Sequence, residues 1–290
     1  MPFLQLDRIS MFYSEFDAAG DEVAPGSEPT FLLVHGWGGD GGQWATLLPY
    51  LAAGWPAGSE GRRMIIPDLR GHGASRSQWT DAHWAGRVVR EDDFGPRAFA
   101  ADLARLLREL GERPVVAVGH SMGGQVVTAL AVDYPELVEA LVVLDPAYGA
   151  SDEEMARIPA EQEDLRREGS AWAARFVAGA FSSSATPGIR EREVRLMAST
   201  DARVLAAARD GMYLADDAFG PSRAAAAYLK RCQTPTLAIY SNDTAAQWYR
   251  DNGMQNPNSV VEVISDVGHY LQLEQPEKVA TLLKRLADMR

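Results

Sequence analysis

The apolar run Pro114-Val115-Val116-Ala117-Val118 passes directly into Gly119-His120-Ser121-Met122-Gly123-Gly124 and then into Gln125-Val126-Val127-Thr128-Ala129-Leu130-Ala131. This order predicts a strand, a tight turn carrying a serine at its apex, and a helix beginning near Met122. Such a turn is so sharp that small residues are needed on both sides of the serine, and Gly119, Gly123 and Gly124 supply them. The first N–H groups of a helix have no partner inside it, so they are free to face a developing oxyanion. A Gly-x-Ser-x-Gly pattern also occurs in ordinary Gly/Ser loops, and the rest of the chain must decide between the two readings.

Three further segments do so. Phe31-Leu32-Leu33-Val34-His35-Gly36-Trp37-Gly38-Gly39 reads as a strand ending in a His-Gly turn, and Met64-Ile65-Ile66-Pro67-Asp68-Leu69-Arg70-Gly71-His72-Gly73 as a second strand ending in a glycine turn. Val260-Val261-Glu262-Val263-Ile264 leads into Asp266-Val267-Gly268-His269. On His35-Gly36, Asp68 to Gly73, Gly119 to Gly124 and Gly268-His269, the chain resembles the α/β-hydrolase superfamily over essentially its whole length. The combination is specific for fold and triad and weakly specific for substrate, because one scaffold hosts many chemistries.

Apolar runs alternate with amphipathic stretches, which predicts an α/β fold: a mostly parallel eight-stranded sheet flanked by helices. Strands are expected near 4–6, 10–14, 30–34, 63–66, 114–118, 140–144, 235–240 and 260–264, and helices near 43–53, 97–110, 122–133 and 275–288. The alternation stops between Ala147 and Cys232, a region rich in Ala, Arg and Glu without a β-branched run, so it should be helical, with a turn over Gly179 to Gly188. By the resemblance this is a helical cap inserted after the sixth core strand. The expected division is a core of 1–146 and 233–290 and a cap subdomain of 147–232. A smaller insertion between Ser75 and Pro96 carries Trp79, Asp81, His83 and Trp84; its tryptophans either wall the pocket or pack under a surface loop.

Composition narrows the function classes. The 290 residues are 46% hydrophobic and 23% charged, and the formal charge of −12 disfavours nucleic acid and anionic membranes as partners. No apolar stretch approaches the roughly 20 residues that span a bilayer, and Met1 to Arg8 does not read as a signal peptide, so a cytoplasmic location is expected. Cys232 is the one cysteine, and the five histidines are scattered without a Cys/His ligand spacing. No metal or cofactor is expected, and the partner should be a small molecule.

A serine hydroxyl attacks a carbonyl only when a neighbouring base takes its proton. His269 is the candidate base for Ser121, last in the order of nucleophile, acid and histidine that the resemblance implies. The acid has two candidates. Asp145 ends the run Ala140 to Leu144, a placement similar to haloalkane dehalogenases and zearalenone-type lactonases. Asp243 follows the seventh strand, but aligning Ser241 with the glycine of the commoner Gly-x-x-Asp pattern puts Thr244 in the acid's place, so Asp145 is favoured.

The resemblance also implies an oxyanion hole from the N–H groups of Trp37 and Met122. Tyr148, Tyr270, Trp172, Phe176, Phe181, Met212, Tyr213 and Phe219 are candidates for the pocket wall, most of them expected to serve packing. His35, His120, Asp68 and Arg70 are expected to be structural. The expected activity is a serine hydrolase cleaving a carboxylic ester or lactone of a small, largely apolar substrate through an acyl-enzyme. The alternatives are a carbon–carbon bond hydrolase acting on a diketone and a ligand receptor with slow turnover.

Overall fold

The computed structural model describes residues 3–6, 9–17, 30–53, 63–77 and 94–288. Its strands are β1 (Phe3–Leu6), β2 (Ile9–Asp17), β3 (Phe31–Val34), β4 (Arg63–Pro67), β5 (Val115–His120), β6 (Val138–Leu144), β7 (Thr236–Tyr240) and β8 (Val260–Val263). They form one sheet in the order β1-β2-β4-β3-β5-β6-β7-β8, antiparallel at β1/β2 and β2/β4 and parallel elsewhere.

The central strands are apolar at nearly every position because both faces are covered. Leu32 and Val34 of β3 and Ala117 of β5 pack on one face with Phe99, Leu103 and Leu107 of helix Pro96–Glu109 and Val126 and Leu130 of helix Met122–Asp133. Phe31, Leu33, Val116 and Val118 point the other way, against Trp44, Leu51 and the Val279 and Leu283 side chains of helix Pro276–Asp288.

The expected helix over 43–53 is instead two pieces, a 3-10 turn Gly41–Trp44 and a short helix Leu48–Ala52. Pro49 sits in the first turn of the second piece, where its missing N–H costs nothing, and so starts a new helix instead of continuing the old one. Between Leu144 and Thr236 the chain forms helices Asp152–Glu168, Ser170–Ala178, Pro187–Ser199, Ala202–Tyr213 and Ser222–Leu229. The first opens with a capping box, Ser151 and Glu154 each bonding the other's backbone. Trp79, Asp81, His83, Trp84 and the charged run 87–93 lie outside the described residues. Among the described residues no helix is long and apolar enough to cross a membrane.

Parallel register brings the C-terminal strand ends together. Val34 aligns with Gly119, His120 with Leu144, and Leu144 with Ile239, so the residues that follow β3, β5, β6 and β7 emerge side by side, where open α/β sheets hold their ligands. The turn after β5 passes under the loop after β3. A Cβ built on Gly123 would fall on the carbonyl oxygens of Val34 and His35, and one on Gly119 would fall on the Gly123 carbonyl, all closer than atoms can approach. Gly123→Ala should therefore cost about 3 kcal/mol or more, since backbone and not a flexible side chain would have to move. Urea unfolding of the variant beside wild type measures it.

Candidate active site

Ser121 stands at the N-terminal cap of helix Met122–Asp133 with φ 54° and ψ −117°, a conformation that non-glycine residues rarely adopt and that marks functional turns. Its amide donates to Leu144 O at 3.0 Å, and its carbonyl accepts from Gly124 N and Ala147 N at 2.9 and 3.1 Å. The strained turn is thus held from both sides. The amides of Trp37 and Met122 donate to no other group among the described residues, as oxyanion donors must be available to a ligand.

His269 follows β8 and lies across the same cavity. Its Nδ1 donates to Asp145 Oδ2 at 3.0 Å; an ionised carboxylate only accepts, so the proton sits on Nδ1 and the neutral ring leaves Nε2 as the basic nitrogen. No hydrogen bond joins Ser121 Oγ to His269 among the described residues; both side chains line one cavity of about 320 Å³. Loops of this kind often draw their catalytic bonds tight only around a substrate.

Asp145, at φ 43°, also accepts from Ser241 N at 2.9 Å and Ser241 Oγ at 2.7 Å. Burial opposes its ionisation, but the bond from His269, the attraction of that ring and the two Ser241 donors outweigh burial and hold the carboxyl below its ordinary value. Asp243 is exposed in the first turn of helix Asp243–Asn252. The structure therefore joins Asp145 to His269 and leaves Asp243 at the surface. Ser241, which sequence considered only as a stand-in for glycine, orients the carboxylate.

The flanking histidines serve structure. His35 Nε2 accepts from Leu69 N at 2.9 Å while Nδ1 donates to Gly36 O, tying the β3 turn to the β4 turn. His120 Nε2 donates to the carbonyl of His269 at 2.9 Å, and burial holds this ring neutral down to about 3. Asp68 accepts from Gly41 N and Ala74 N, both at 2.7 Å, and Arg70 pairs with buried Asp102. Cys232 is buried, and burial pushes its thiol up.

The helical insertion reaches the site at two loops. Trp37 Nε1 donates to Leu205 O at 2.9 Å, and buried Gln43 bridges Gly36 N to Glu193 Oε2. On the far side, His269 N donates to Ala180 O at 2.8 Å, and Glu274 accepts from Ser182 and from Gly268 N.

Of the residues expected at the pocket wall, Phe176, Met212 and Tyr213 line the cavity, together with Trp37 and Ile158. Tyr148, Tyr270, Trp172, Phe181 and Phe219 are not among its lining residues. Tyr270 is stacked on Phe181 at 4.5 Å, Phe219 on Tyr228 at 4.1 Å and Tyr148 on Tyr249 at 6.1 Å, so these rings are absorbed by packing. Sequence reasoning missed four charged residues that do line it, Glu154, Arg157, Glu161 and Arg209. The available signal was Arg209 one helical turn beyond buried Leu205, on the apolar side of its helix. A larger cavity of about 410 Å³, beside Arg97 and Asp217, lies away from Ser121 and is lined by neither a serine nor a histidine.

A sequence profile described as the alpha/beta hydrolase fold matches residues 29–276. The chain belongs to this family. An esterase from Thermogutta terrifontis superposes with a TM-score of 0.73 at 26% identity over 97% of this chain and 94% of that one. The enol-lactonase of Burkholderia xenovorans superposes at 0.75 with 19% identity over 99% of each, which shows the fold alone. The magnesium-chelatase 30 kDa subunit of Rhodobacter capsulatus is 34% identical over 114 residues, 39% of this chain and 34% of that protein. The matched segment spans about a third of the curated relatives' length.

Two outcomes follow from this geometry. Asp145→Asn should lower kcat/KM on a cleaved ester by at least about 100-fold, because the imidazole loses its tautomer and its counter-charge, while Asp243→Asn should stay near wild type. Steady-state kinetics of both variants check this. For stability, an unfolded His120 takes a proton below its ordinary 6.5, whereas the folded ring refuses one until about 3. The His120 contribution is then complete above pH 6.5 and declines as pH falls from there towards 3. In His120→Gln the fall in unfolding free energy over that window should be shallower by about one proton's slope, as read by urea titrations at a series of pH values.

Proposed function

We propose that this protein is a cofactor-independent serine hydrolase that cleaves a carboxylic ester or lactone of a small substrate through an acyl-enzyme. The observation that carries the reading is the hydrogen bond between His269 and Asp145, from the turns after β8 and β6, in a cavity whose wall also presents Ser121 at the head of a helix. Similarity to the Thermogutta terrifontis esterase, at 26% identity, supports the same chemistry.

Ser121 Oγ attacks the carbonyl carbon as His269 Nε2 takes its proton, and the Asp145 carboxylate stabilises the imidazolium. The tetrahedral oxyanion is held by the N–H groups of Trp37 and Met122. His269 returns the proton to the departing alkoxide, leaving the acyl group on Ser121. A water molecule, deprotonated by His269, then adds to the acyl carbon; the bond to Ser121 breaks, the serine regains the proton and the acid leaves. With a lactone, alcohol and acid remain in one product.

Residues 147–232 act as the cap of this site. Ile158, Phe176 and Met212 supply apolar wall from that insertion, and walls that exclude water strengthen every polar interaction inside.

Wild-type protein should hydrolyse short p-nitrophenyl esters and be labelled by a fluorophosphonate, and Ser121→Ala should lose both. Mass spectrometry locates the adduct. Labelling of Ser121→Ala at the wild-type rate would remove this serine from the mechanism.

A further inference from the structure

The wall of the cavity contributed by helices Asp152–Glu168 and Ala202–Tyr213 is only partly apolar: beside Ile158 and Met212 it carries Glu154, Arg157, Glu161, Arg209 and Tyr213. Arg209 is 4% exposed yet lines the same space as Ser121 and His269. One of its Nη atoms donates to Glu161 and the other to Gln162 Oε1 at 3.2 Å, while Gln162 Nε2 is itself anchored on Ala206 O at 2.7 Å. The guanidinium carbon lies 5.4 Å from the Trp172 ring centroid and 5.9 Å from that of Phe176, so the cation is oriented by two aromatic faces and two acceptors. Phe176 meets Trp37 edge-on at 6.1 Å. An unbroken wall therefore runs from the oxyanion turn through Phe176 to Arg209.

Tyr213, one turn beyond Arg209 on the same helix, lines the cavity too, and its hydroxyl has no hydrogen-bond partner among the described residues. Burial pushes this phenol up to about 12, so at neutral pH it keeps a proton to donate. A buried ion pair stabilises a fold weakly, and well-packed apolar residues would serve as well if packing were its only task.

We infer that Arg209 and Tyr213 form a second subsite, which binds an uncharged carbonyl oxygen carried by the substrate apart from its scissile group. The assignment rests on the hydrolase reading for what the subsite is used for. Charge selects the ligand class. Glu154 and Glu161 face the same space as Arg157 and Arg209, two anions against two cations, so a carboxylate meets Glu161 beside its intended donor and an ammonium meets Arg209. A ketone, amide or ester carbonyl brings no charge to oppose and accepts from both groups. A site built to hydrogen-bond its substrate rejects analogues lacking that group, because its own buried donors are then left unpaired.

The test uses p-nitrophenyl esters of linear acids with a ketone placed in turn from C5 to C8, each against the parent ester of equal chain length. In wild type, kcat/KM for at least one keto ester should exceed that of its parent by about 10-fold or more. In Tyr213→Phe and in Arg209→Met that ratio should fall towards one; reading a ratio within each variant removes general effects on catalysis. Ratios near one at every position in wild type, or a ratio unmoved by both substitutions, overturn the subsite. If Arg209→Met does not fold, Tyr213→Phe decides alone. Binding of the same ester pairs to Ser121→Ala, followed by tryptophan fluorescence, separates the two readings. Tighter binding of the keto ester that is lost in Ser121→Ala/Tyr213→Phe upholds the subsite even if wild type cleaves neither ester, an outcome that would end the hydrolase assignment. Equal binding of keto and parent esters overturns the subsite whether or not the parent is cleaved.

Discussion

The crossing of two turns organises this molecule. Where the backbone at Gly123 passes beneath the carbonyls of Val34 and His35 there is no room for a single extra carbon, so the loop after β3 and the turn after β5 have only one way to lie together. That contact sets the Trp37 amide beside the first turn of helix Met122–Asp133. In the proposed reaction this amide would be a preorganised donor, which needs no reorganisation at the moment charge develops. The unfavourable φ at Ser121 persists because backbone bonds from Leu144, Gly124 and Ala147 hold it there.

Asp145 shares this character. It too has a positive φ, at the exit of a neighbouring strand, and is steadied by Ser241 from the next strand along. Two adjacent parallel strands thus supply the carboxylate and the groups that aim it, while β8 supplies the imidazole. The low carboxyl pKa follows from that convergence, because burial alone pushes it the other way.

The strands and the tight turn at Ser121 were legible in the sequence because their signals are local: an apolar run of strand length, then glycines where a Cβ has no space. The helix break between Trp44 and Leu48 was not, because the apolar residues through Leu51 kept helical spacing and only Pro49 marked the restart. The choice between Asp145 and Asp243 was open for a different reason. It depends on the register of β6 against β7 and on which carboxylate falls under a histidine far along the chain, neither of which is encoded in spacing. The charged side of the cavity was missed because Arg209, Glu161 and Gln162 become a unit only when two helices pack. Taken singly, Glu161 and Gln162 read as ordinary polar residues of a helix, and only the place of Arg209 on the apolar side of its own helix hinted otherwise.

The turn at Ala180 to Ser182 is bonded to the segment that bears the imidazole, through His269 N and through Glu274. The helical insertion is therefore no freely hinged visor above a rigid scaffold. Its inner corner is tied mechanically to the segment that bears the His269 imidazole, and exchange of the insertion between relatives would transplant part of that segment's seating along with the walls of the cavity.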